Sequence, residues 1–169
     1  DHDSFHAAEM AAEDYIIVYF FEPSLVRLPD NSLRHHQFIY HSLLAMNKRI
    51  KEFKRTVNIQ ECEAIEGFKK IHETYIIHKV FSYQESGIQA TWERDKSVAK
   101  WFRSNKIDWI EFQRDGILRG IQNRKNWDDN WYKTMNAHCV QNIFSTSTND
   151  TTHENPFPLS RAFEEKIKH

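Results

Sequence analysis

The stretch Ser82–Phe102 reads SYQESGIQATWERDKSVAKWF, and its character changes halfway along. Its first residues end an apolar run, IIHKVFSY from Ile76 to Tyr83, with the length and β-branched content of a buried strand. From Thr91 the pattern is helical: Val98 and Phe102 lie three and seven residues after Asp95, on one face. A strand passing through a short polar turn into a helix is the unit from which parallel α/β domains are built. The turn carries Gln84, Glu85, Ser86 and Gly87, and the helix start carries Trp92, Arg94 and Asp95. Those polar residues either cap the helix or hold a ligand.

The same unit repeats outward in both directions. DHDSFHAAEMAAED, at the front, reads as a short helix with Asp and Ser in cap positions. YIIVYFFEP (Tyr15–Pro23) is an unbroken apolar run stopped by proline, as expected of a strand buried on both faces. SLVRLPDNS (Ser24–Ser32) reads as a loop. A long helix follows, with Ile39, Leu43, Met46, Ile50 and Phe53 in one apolar stripe. RTVNIQEC is a short strand and EAIEGFKKIHETY a helix, with Ile65, Phe68, Ile71 and Tyr75 near one face. Beyond the opening stretch, IDWIEFQ is a strand. RGIQNRKNWDDNWYKTM (Arg119–Met135) reads as a helix throughout, with Trp127, Trp131 and Met135 in register. STSTNDTTHENPFP (Ser145–Pro158) is polar and proline-terminated, a linker by composition, and LSRAFEEKIKH forms a last short helix. The alternation predicts an α/β fold, a parallel sheet with right-handed crossovers and helices on both faces.

Composition narrows the function. The chain has 169 residues, 40% hydrophobic and 28% charged, with a formal net charge of −1. This is ordinary for one globular domain, and nothing global advertises nucleic-acid or membrane binding. The basic run NKRIKEFKR (Asn47–Arg55) reads as the solvated back of a helix. No apolar run approaches the roughly 18 residues of a membrane span. Cys62 and Cys139 form no CxxC pair, consistent with free thiols in a cytoplasmic protein. The front of the chain lacks the pattern of a signal peptide, and the one N-x-T sequon, at Asn149, carries little weight without secretion.

Several chemistries lack their motifs. The four glycines, Gly67, Gly87, Gly116 and Gly120, form neither GxGxxG nor a P-loop, and there is no G-x-S-x-G elbow. The ten histidines include His2 with His6, and His35, His36 and His41, but no HExxH, so no metal site is expected. Asp128 and Asp129 are adjacent, hence point apart on a helix, and do not make an acid/base pair.

Three segments in order carry a resemblance. FFEPSLVRLPDNSLRHHQFIYHSLLAMNKRI is similar to the cryptochrome/DNA photolyase family, in which a strand ends in a Phe-Asp-Pro-like triplet. There a loop leads into an Arg-His-x-x-Phe helix followed by Ser-Leu-x-x-Leu/Met-Asn. FSYQESGIQATWERDKSVAKWF looks like that family's fourth strand, its Glu-(Thr/Ser)-Gly turn and its Arg-Asp helix. IEFQRDGILRGIQNRKNWDDNWYKTM resembles the segment after the fifth strand, with Gly-Val/Ile-x-Arg and then Arg-x-x-Trp-x-x-x-Trp. Together they span Tyr15 to Met135.

The resemblance implies a Rossmann-like, flavodoxin-type N-terminal domain that carries an antenna chromophore: a folate, a deazaflavin or FMN. FAD and UV-damaged DNA would be held by a larger C-terminal helical domain, the partner of this one. Light absorbed by the antenna would pass to FAD, which reduces a pyrimidine dimer, a carbon–carbon lyase reaction this chain alone would not catalyse. On this basis residues 1–136 form the antenna domain and 137–169 lead towards the helical domain. The family also opens with a Trp-Phe-Arg strand ahead of the first helix, central in a sheet ordered 3-2-1-4-5. The chain on its own is therefore expected to fold poorly unless another segment fills that slot.

Ligands in open α/β sheets lie beyond the carboxyl ends of the strands, where strand order reverses. On the family topology Gln84, Glu85 and Ser86 lie there, with Phe21 and Glu22 ending the neighbouring strand. The cofactor-binding set is then Phe21 for an apolar face, with Arg34, Gln84, Glu85 and Asp95 for polar contacts. Asp95 lies on a core-facing stripe and so needs a partner, which could be a ligand, Arg34 or Arg94, or the dipole of the helix's first turn. Trp92 could stack on a ring, plug the core or lie exposed. The other tryptophans read as packing, since the family's electron-transfer tryptophans belong to the helical domain. No residue is assigned a catalytic role. Two further readings stand beside the antenna: a nucleotide-binding α/β module, and an interaction fragment that binds no small molecule.

Overall fold

A computed structural model describes residues 2–11, 13–147 and 155–169. The sequon at Asn149 and the middle of the polar stretch Ser145–Pro158 lie outside the described residues. The elements run α1 (Asp3–Met10), β1 (Ile17–Phe20), α2 (Pro23–Val26), α3 (Leu33–Ile50), β2 (Val57–Gln60) and α4 (Ala64–Tyr75). They continue β3 (Lys79–Tyr83), α5 (Gln89–Ser104), β4 (Asp108–Phe112), α6 (Trp127–Met135) and α7 (Arg161–Lys168). The fold is α/β, and both strand pairs are parallel, as a crossover helix between paired strands requires. The expected single sheet is not what the described residues form. β1 pairs with β2 and β3 with β4, giving two two-stranded sheets. The chain divides accordingly into two compact units.

One unit comprises Glu13–Ile76 with the described part of Phe144–His169. β1 and β2 run in register from Ile17 opposite Val57 to Phe20 opposite Gln60. The expected stripe on α3 faces the core but is shifted: His36 and Tyr40 are buried with Ile50, while Ile39 and Leu43 pack at its margin. Phe21 and Ile167, at 2% and 0% exposure, form the buried cluster with Tyr40, and Phe163 lies edge-on to Phe21 at 5.2 Å. The C-terminal segment thus belongs to this core. Asn155 donates to the Ile59 carbonyl, Glu61 N–H donates to the Phe157 carbonyl, and Ser160 N–H donates to the Glu61 carboxylate. Residues 155–169, read from sequence as leading away from the domain, fasten onto β2 and α3.

The other unit comprises Ile77–Ile143 with α1. β3 and β4 pair from Lys79 opposite Asp108 to Tyr83 opposite Phe112. α5 makes the crossover and buries Val98 and Phe102 at 3% and 1% exposure. Trp109 packs edge-on against Phe102 at 5.4 Å, and its indole N–H donates to Ser82 Oγ. α1 is anchored by the Tyr83 hydroxyl, which accepts from Asp3 N–H at 2.9 Å.

Three expectations need correction. Ser24–Ser32 is not all loop. Pro23 stops β1 and then occupies the first turn of α2, where a missing N–H costs nothing. The expected helix Arg119–Met135 forms only from Trp127, because Gly120 (φ 74°) and Asn126 (φ 61°) adopt left-handed backbone that interrupts it. β1 and β3 were expected to be buried on both faces. They are at most half-buried, and each has one strand partner among the described residues.

Candidate functional site

The candidate site grows from the carboxyl end of β3. Gln84 extends the ladder, its N–H donating to the Phe112 carbonyl at 2.8 Å. The chain then turns through Glu85, Ser86 and Gly87 into α5. Glu85 Oε1 accepts from Gly87 N–H at 2.7 Å, and the same oxygen occupies the space a Cβ at Gly87 would need. Ser86 Oγ donates to Asp115 Oδ2 at 2.9 Å, tying this turn to the one after β4.

Around the turn runs a chain of alternating charge. Arg94 Nη2 lies 3.5 Å from Glu85 Oε2, and Arg94 Nε donates to Asp95 Oδ1 at 2.9 Å. Asp95 Oδ2 is 3.8 Å from Arg119 Nη2, and Arg119 Nη1 meets Glu111 Oε1 at 3.3 Å. Three carboxylates thus face two guanidiniums. Their side chains keep between 18% and 33% exposure, so solvent screening limits what each pair contributes. Asp95 is the most shielded and stands between both arginines. Arg119 Nε and Nη2 are shielded from solvent and have no hydrogen-bond acceptor among the described residues.

This answers the partner question for Asp95. α5 begins at Gln89, so Asp95 falls in its second turn rather than the first, and the helix dipole is not what holds it. The partner is Arg94, as one reading had it, joined by Arg119, the arginine of the Gly-Val/Ile-x-Arg motif, to which the sequence reading gave no site role. Trp92 is exposed at 38%, with Lys96 Nζ 5.8 Å from its ring centroid. Trp127 and Trp131 stack at 6.4 Å.

Phe21 and Arg34 belong to the other unit. Phe21 offers no free face: its ring packs edge-on against Tyr19, His36 and Phe163. Arg34 lies exposed in the first turn of α3. Glu22, buried at 4%, accepts from Ala64 N–H at the start of α4. Glu63 in turn accepts from Ser24 N–H and Oγ at the start of α2. Each glutamate is the N-cap residue of one helix and supplies its carboxylate to the other. Cys62 lies buried between them and donates to Gln60 Oε1, and burial beside the Glu66 and Glu22 carboxylates pushes its thiol up to about 12. Among the described residues, no group of three or more His, Cys, Asp or Glu side chains could hold a metal ion. No helix among them is long and apolar enough to cross a membrane.

A parallel α/β chain whose polar turn lies beyond the carboxyl end of a strand is of the Rossmann-like class. The family model for DNA photolyase matches residues 1–139, most of the chain, and the protein belongs to that family. No curated protein and no solved structure matches it.

Proposed function

We propose that this chain is the antenna-chromophore domain of a photolyase or cryptochrome-like flavoprotein. One observation carries the site: within a photolyase-family chain, the charged cluster around the turn after β3 includes Arg119, from the segment after β4, whose shielded Nε and Nη2 have no hydrogen-bond acceptor among the described residues. Buried donors without acceptors are costly, and a ligand carbonyl or anionic group would satisfy them. Gln84, Glu85 and Asp95 would line the polar edge of a planar chromophore beside Arg119. Such a group, a folate, a deazaflavin or FMN, supplies absorption in the blue and near-UV. The chain's own residues would bind and orient it. In the whole protein the energy would pass to FAD in a C-terminal helical domain that binds UV-damaged DNA and splits pyrimidine dimers. A cytoplasmic location fits that role.

The test is a titration of the purified chain with FMN, a folate and a deazaflavin, followed by ligand fluorescence. One of them binds, and Arg119→Met or Glu85→Gln weakens it about tenfold, as loss of one charge-assisted hydrogen bond would. If none binds while AMP or ATP does, the chain is a nucleotide-binding module instead. If nothing binds, the antenna reading fails for this domain.

A further inference from the structure

α7 closes the core of its unit, and at the seam lies a histidine. Ile167 is fully buried, and Phe163, one turn earlier on α7, meets both Phe21 and His36. His36, on α3, is 8% exposed. Its ring lies edge-on to Phe21 and to Phe163, both at 6.1 Å. On the α2 side the Val26 backbone is its polar neighbour. Nε2 is shielded from water and has no hydrogen-bond partner among the described residues. An apolar ring would satisfy this packing, so the imidazole is a costly choice for stability alone.

We propose that His36 is a pH-sensitive latch for α7: neutral, it lets the helix seat, and protonated, it loosens it. A proton on Nε2 would place a charge and an unmatched donor between two phenyl rings. Their faces offer a cation some attraction, but less than the water it loses. No carboxylate among the ring's nearest contacts receives that charge. From β1 the neighbour is Phe21, from α2 the Val26 backbone, and from α7 Phe163. Along α3 the nearby titratable group is His35, whose charge would oppose a second one. The carboxylate closest along α7, Glu164, is already taken by Lys168 at 2.8 Å and by the Tyr40 hydroxyl at 3.3 Å. Its bond to Lys168 lowers its pKa, so it stays ionised where histidines titrate. Burial holds His36 below the ordinary histidine value of 6.5. Stability from the neutral ring is therefore complete above that value and is lost as pH falls through the lowered one.

Hydrogen exchange on the whole chain tests this, read as protection factors so that intrinsic pH effects cancel. Between about pH 7.5 and about pH 5, protection of the α7 amides falls several-fold, more than that of β1 and β2. His36→Gln and His36→Phe abolish the difference, while His35→Gln keeps it. If His36→Phe fails to fold, His36→Gln decides, together with an NMR titration of the His36 ring in the unmodified chain. The proposal is overturned if His36→Gln retains the same loss of protection. It is equally overturned if the ring titrates while the α7 amides stay unchanged.

Discussion

Glu22 and Glu63 show how far a single side chain can reach in this fold. Each begins one helix and caps another, so neither could be assigned its partner from local sequence: the residues they serve lie 42 and 39 positions away. Glu22→Ala leaves the buried Ala64 N–H without an acceptor and is expected to cost about 1–2 kcal/mol in urea denaturation. Cys62 and Cys139 make a second test at this scale. Cys62 is buried with its thiol at about 12, and Cys139 is exposed. Iodoacetamide at neutral pH should label Cys139 alone, and Cys62 only after denaturation, as mass spectrometry of the peptides would report. Asp95 was legible in the sequence because helical spacing set it beside Val98 and Phe102. Arg119 stands in the Gly-Val/Ile-x-Arg motif, but its pairing with Asp95 was not legible, because it reaches Asp95 from an irregular segment whose path no periodicity encodes.

The regular elements were legible where apolar spacing was strong and turn signals were clean, as in α3, α4, α5 and every strand. They were misread where backbone chemistry overrode the pattern. In Arg119–Met135 the tryptophan spacing suggested one helix, but left-handed Gly120 and Asn126 delay its start. α4 illustrates packing at this scale. Gly67 faces the Phe20 ring so closely that a Cβ would overlap it. Gly67→Ala should therefore destabilise by about 1–3 kcal/mol despite alanine's better helix propensity, and Phe20→Leu should recover part of the loss. α1 carries its own pH dependence. The His2 ring caps it by accepting from Phe5 N–H, and burial lowers its pKa against the opposing pull of Asp3. Protonation would turn that acceptor into a donor. The cap is therefore present above the ordinary value of 6.5 and lost as pH falls through the lowered one. Hydrogen exchange of α1 should follow this, and His2→Asn, which caps without titrating, should flatten it.

At the scale of the molecule, the strand–helix alternation gave the α/β class correctly. Which strands would pair could not be read from it, since pairing depends on neighbours distant in sequence. The two units offer a convenient optical asymmetry. All five tryptophans, Trp92, Trp101, Trp109, Trp127 and Trp131, fall within Ile77–Ile143. Indole emission therefore reports that unit's unfolding, whereas far-UV circular dichroism sums both. The two probes are expected to give non-coincident thermal transitions, and superimposable curves would show a single cooperative one.

The two units are also interleaved along the chain, and this governs the order in which they can be completed during synthesis. α1 emerges ahead of β1, yet its anchor, the Tyr83 hydroxyl, follows 80 residues later. β1 and β2 emerge ahead of the other unit's strands, but α7, which seals their core, follows all four strands. A nascent chain must therefore hold two unfinished cores at once. A chaperone that shields apolar surface has its longest opportunity between the emergence of β2 and that of Ile167.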